Sequence, residues 1–107
     1  MLLSTVEITH IKNKEVIGVV IGTSVRGTSL MRDMGARVVD AVGGAAKGYE
    51  TSFSDTVNAA VNEMTRAAEQ RGAVAVEGLR IAEGPLPMAH GGLFTVLAYG
   101  TAIKGEL

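Results

Sequence analysis

The sequence predicts an α+β domain, an antiparallel or mixed sheet with helices on one face. Apolar spacing alternates between period two and a helical period, in the order strand, helix, helix, strand, strand. The main strands are apolar on both pleat faces, as in a sheet covered on both sides. The 107 residues are enough for one domain and not for two, so residues 1–107 form a single unit.

At the front of the chain, Val6 to Ile11 alternates apolar and polar residues and reads as a short, exposed strand. KNKE, Lys12 to Glu15, reads as a polar turn. Val16 to Ser24 is β-branched and apolar, with Val16, Val20 and Gly22 on one face and Ile17, Val19 and Ile21 on the other. From Ser29 the period changes: Leu30, Met31, Met34, Val38, Val39 and Val42 recur at helical spacing, and Gly43-Gly44 punctuates the end. A second helix is expected from about Gly48, with Phe53, Val57, Ala60, Val61, Met64, Ala67 and Ala68 as its apolar stripe. Gly72, after Arg71, stands where a left-handed helix cap is wanted. Val74 to Glu83 and Leu93 to Lys104 read as strands paired antiparallel across the loop EGPLPMAHGG. The last strand carries Leu93, Leu97, Tyr99 and Ile103 on one face and Phe94, Val96, Ala98 and Ala102 on the other. Helices on one side leave the second apolar face uncovered, and self-association is the simplest cover for it.

Composition excludes several functions. A net charge of −1 offers no basic field for a nucleic-acid backbone or an anionic membrane. The absence of Cys removes disulfides and thiolate metal sites. MLLSTVEITH lacks a basic start with a long apolar run, and VIGVVIG is far short of the ~20 residues of a membrane span. The expectation is a cytoplasmic protein without nucleic-acid or membrane partners.

Among features that carry chemistry, GTSVRGTS (Gly22 to Ser29) comes near a phosphate-binding loop, but Thr28 stands where the lysine belongs. The favoured reading is a tight strand-to-helix turn, with Thr28 or Ser29 capping the helix and Arg26 supplying the loop's one charge. His10 and His90 are the only histidines, and Met88 with His90 forms an M-x-H pair. Two such ligands do not complete a metal site, so His10 or His90 would have to be gathered by oligomer symmetry. Asp33, Asp40, Glu50, Asp55 and Glu63 read as solvated helix charges rather than an acid pair, and Ser24, Ser29 and Ser54 have no histidine near in sequence. No enzyme activity is expected.

The runs GVVIGTSVRG, Arg32-Asp33, Val42-Gly43-Gly44, Tyr49-Glu50, Arg71 to Gly78 (RGAVAVEG) and Ala98 to Ala102 (AYGTA), in this order, resemble the YbjQ family over nearly the whole chain. These are small proteins of unestablished function that carry a heavy-metal-binding label. The resemblance implies a dodecin-subunit-like, two-layer β-α-β-β fold in a ring-forming homopentamer. It places family motif positions at Arg32, Asp33, Gly43, Gly44, Tyr49 and Glu50. In one reading these are structural. In the other, Arg32, Asp33, Tyr49 and Glu50, with Arg26, line a ligand pocket between subunits. A divalent metal ion is the candidate cofactor. The function expected is a non-enzymatic, homo-oligomeric protein that binds a small ligand or ion. The alternative is a heavy-metal-binding protein using His and carboxylates at inter-subunit positions.

Overall fold

In the computed structural model, which describes residues 1–27, 45–88 and 91–107, a 26-residue helix lies across one face of a four-stranded mixed sheet. The elements are β1 (Leu2–Leu3), β2 (Lys12–Gly27), α1 (Ala45–Gln70), β3 (Ala75–Met88) and β4 (Gly91–Glu106). The strand order is β1-β3-β4-β2. β1 runs parallel to β3, while β3 and β2 flank β4 antiparallel. The antiparallel pairing expected of the last two strands is therefore present.

The helix forms because its apolar residues fall on one side. Ala60, Met64 and Ala68 are fully buried against Val20, Val76, Val96, Ala98 and Ala102, with Val57, Val61 and Ala67 packed beside them. Asp55, Asn58, Asn62, Glu63, Arg66, Glu69 and Gln70 face solvent, as the stripe requires. Phe53 tilts against Phe94 with ring centroids 5.5 Å apart. The helix ends as its sequence predicts. The Ala73 amide donates to the Ala68 carbonyl and the Gly72 amide to the Glu69 carbonyl, the paired bonds of a Schellman motif. Gly72 takes the left-handed conformation this needs, with φ 81°.

Four expectations are corrected. Val6 to Ile11 is not a strand. The first strand is Leu2–Leu3, and Ile8 and Ile11 are instead buried against Ala75 and Ile103. KNKE is not a turn between elements but the start of β2. The left-handed Asn13 (φ 55°) sits in a register shift between Lys12 and Glu15, so its turn chemistry is spent on a bulge. A second shift between Val16 and Gly18 breaks the alternation expected there: Ile17 packs toward the core and Val16 is exposed. The third correction is GTSVRGTS, whose first six residues continue β2 as far as Gly27. Gly22 turns no corner. It lies directly under α1, where a Cβ would run into the Ala60 carbonyl and the Met64 amide and stand 3.0 Å from the Met64 Cα. The fourth is EGPLPMAHGG, which is mostly strand: β3 runs on to Met88 and β4 starts at Gly91.

The expected helix from Ser29 to Val42, its caps Thr28 and Ser29, and Gly43-Gly44 lie outside the described residues. The long axis of the molecule comes from the strands. Sixteen residues at about 3.3 Å each span roughly 53 Å, and the largest extent is 54 Å. The radius of gyration is 17.1 Å, against about 13 Å for a compact chain of this length.

Candidate functional site

The sheet face opposite α1 is the distinctive surface of the chain. Alternation along β2 and β4 sends Val19, Ile21 and Val25, paired with Thr101, Tyr99 and Thr95, away from the helix. Val19 remains 63% exposed, Ile21 51% and Tyr99 38%. These large aliphatic side chains stand side by side on the sheet as one apolar patch rather than as scattered exposed residues. Ala82, Gly84, Pro85, Thr95 and Leu97, with Glu83, outline a shallow depression of about 200 Å³. The Thr95 hydroxyl oxygen is buried there and makes no hydrogen bond among the described residues.

One end of this face is covered by residues 4–11, which cross it as a strap. Ile8 and Ile11 bury themselves on Ala75 and Ile103, with Leu2 and Val74 alongside. A charged knot ties the strap down. One Glu77 carboxylate oxygen accepts the Ile8 amide at 2.9 Å and the Lys14 ammonium at 2.8 Å. Lys14 also donates to the Ile8 carbonyl at 2.9 Å and lies 3.6 Å from Glu7. The Ile8 amide, then Lys14, hold the Glu77 carboxyl below the usual carboxylate range, while Glu77 above all raises Lys14.

The signs fix the pH window. The depressed Glu77 contributes stability above its unfolded value near 4.5 and loses it as pH falls through the lower folded value. The raised Lys14 contributes below 10.5 and loses its share as pH rises through the higher folded value. Thermal unfolding of the wild type should therefore decline on acidification below about pH 4.5 more steeply than that of Glu77→Gln, which has no carboxylate to protonate there. Equal acid limbs would remove the knot from the stability of the protein.

Arg71, just after α1, reaches the far edge of the sheet. Its guanidinium donates to the carbonyl oxygens of Val19 at 3.1 Å and Ile17 at 3.3 Å. On the other edge, Arg80 donates to the Thr5 carbonyl at 2.8 Å. Lys14, Glu77, Arg71 and Arg80 were not singled out from the sequence as contact residues. The signal available was a charge inside each strand or at the helix end, which reads equally well as solvated surface.

Of the residues expected to form a site, Arg26 is half-buried near the end of β2, opposite Phe94, on the face that carries α1. His10 is exposed on the strap. Tyr49 and Glu50 fall in the first two turns of α1, and their side chains lie outside the described set. Arg32, Asp33 and His90 also lie outside the described residues. Among the described residues no group of three or more His, Asp or Glu is able to hold a metal ion. Among the described residues no helix is long and apolar enough to cross a membrane.

Among the described residues, one helix lies on a mixed four-stranded sheet with an apolar rear face, which defines the class: a small α+β protein. Its fold matches the crystal structure of a protein of unknown function from Pediococcus pentosaceus assigned to the DUF74 family, with a TM-score of 0.69 over 99% of this chain and 98% of that one, at 17% identity. The chain belongs to the YbjQ family, whose profile, described as "Putative heavy-metal-binding", matches residues 1–106. A UPF0145 protein of Thermotoga maritima is 36% identical over 99% of this chain and 98% of its own length. Another from Lactobacillus gasseri is 33% identical over 97% and 94%.

Proposed function

We propose that the protein works in the cytoplasm as a non-enzymatic homo-oligomer that binds a small ligand or ion, with a dodecin-like protomer and a five-membered ring as the working unit. The observation that carries this reading is the rear sheet face, where Val19, Ile21, Val25 and Tyr99 stand exposed. Its cost in water is relieved when a second copy covers it. The elongated shape points the same way, since a chain this extended buries less of its own surface than a compact one of equal length. Analytical ultracentrifugation at micromolar concentration tests it. The expected result is one species at five times the mass of the chain, and a monomer overturns the reading.

The family description favours a second reading, heavy-metal binding through His10, His90 and carboxylates brought together between subunits. Single histidines become a site only where symmetry gathers several copies at an axis. Purified protein is stripped with a chelator and reloaded with Zn²⁺, Cu²⁺ or Ni²⁺. Stoichiometric uptake that the double variant His10→Ala, His90→Ala loses supports this reading. No uptake, or uptake that the variant retains, overturns it in its histidine form.

A further inference from the structure

The geometry points to the strap as a latched lid. Residues 5–11 open from the rear sheet face as one unit, while α1 and the β2–β4 and β3–β4 ladders stay in place, and Glu77 with Lys14 is the latch. Opening bares Ala75 and Ile103, so the latch sets how much apolar sheet the protein shows to its surroundings. The lid goes beyond the assembly reading and does not depend on it.

The buried apolar residues fall into two clusters. One joins α1 to the sheet, with Met64, Val76 and Val96 fully buried in it. The other is Ile8 and Ile11 of the strap on Ala75 and Ile103. The two share no residue, so lifting the strap leaves the contact under α1 whole. A part that can leave without the rest opens at a lower free energy than the whole fold.

The backbone ties are as local. Ser4 still pairs with β3, its amide donating to the Val76 carbonyl and its carbonyl accepting from the Leu79 amide. Among the described residues, the groups of residues 5–10 held by the sheet strands are then the Thr5 carbonyl and both backbone groups of Ile8. Ile8 is buried, so its N–H and C=O need partners. Glu77 accepts from the one and Lys14 donates to the other, which is the service a neighbouring strand gives along a ladder. The two side chains also bond each other at 2.8 Å, so losing either loosens the other's hold.

A bulge in β3 builds this arrangement. Residues three apart in an unbroken strand point to opposite faces. The register shift between Glu77 and Arg80 pairs them with Thr101 and Tyr99, both on the rear side of β4. Both charges therefore face the strap, where Glu77 holds Ile8 and Arg80 holds Thr5.

Thiol labelling with iodoacetamide reads the opening directly, because the chain has no cysteine of its own. Ala75→Cys puts a thiol under the strap and Ala98→Cys puts one under α1, both at fully buried positions. Under native conditions Ala75→Cys should react at least about tenfold faster than Ala98→Cys. Adding Lys14→Met should speed Ala75→Cys by about tenfold again and leave Ala98→Cys unchanged. Amide exchange of the wild type needs no substitution: the Ile8 amide should be at least about tenfold less protected than those of Ala98 and Met64. Equal rates at the two thiols, or equal protection of the three amides, mean that the strap leaves only with the whole fold, and either result overturns the lid. Lys14→Met that leaves Ala75→Cys unchanged, or that speeds both thiols alike, overturns the latch.

Discussion

Gly22→Ala should destabilise the protein by about 3 kcal/mol, the upper part of the usual range for overpacking. The added methyl has no flexible side chain to displace. It meets the Ala60 carbonyl and the Met64 amide, both part of the α1 backbone, with the Met64 Cα at 3.0 Å. To make room, α1 has to lift off β2 and take the packing of Ala60, Met64 and Ala68 with it. These residues are fully buried, so even a small shift opens gaps along the helix–sheet contact. Gly84→Ala is the control, since nothing lies within 4 Å of a Cβ there and its φ is not left-handed. It should leave stability unchanged or raise it by up to about 1 kcal/mol through the unfolded chain. Denaturant unfolding of both variants checks the pair. Equal midpoints would mean that α1 does not rest on Gly22 as described.

The helix and the inner face of β4 were legible in the sequence because burial acts on them from one side. Phe94, Val96, Ala98 and Ala102 alternate toward α1 as their spacing predicts. The tail of β2 was not legible, because glycine serves two ends. A glycine that turns the chain and a glycine that lets a helix backbone touch a strand look identical in GTSVRG. Prolines misled in the same way. Pro85 and Pro87 suggested a loop, but both occupy edge positions whose N–H has no ladder partner to lose. The strap escaped because its partner is remote: Lys14 and Glu77 are 63 residues apart in sequence, and neither looks different from a solvated charge. The uncovered sheet face was legible, since apolar residues on both pleat faces of β4 with cover on one side leave that conclusion directly. Which side chains would build a ligand site was not, because residues such as His10 and Arg26 read the same on a solvated surface as in a site.

If the rear face joins subunits as proposed, Ile21→Glu should leave the fold intact and break the assembly, the opposite result from its neighbour Gly22. Ile21 points away from α1, is 51% exposed in the single chain and pairs with Tyr99. A carboxylate there costs the lone protomer little, because it stays in water. Covered by a second copy, the same position trades the burial of an isoleucine, about 1.5–3 kcal/mol, for an unpaired charge that costs several kcal/mol more. With a factor of ten for every ~1.4 kcal/mol, association should weaken by at least about 100-fold. Light scattering over a concentration series reads the dissociation, and circular dichroism reads the fold. A variant that keeps both its mass and its fold would place the subunit contact elsewhere. A variant that loses the fold as well would mean that the rear face is already needed by the single chain. Dissociation with the fold retained separates the two faces of one strand: Gly22 holds the protomer together, and Ile21 holds protomers to one another.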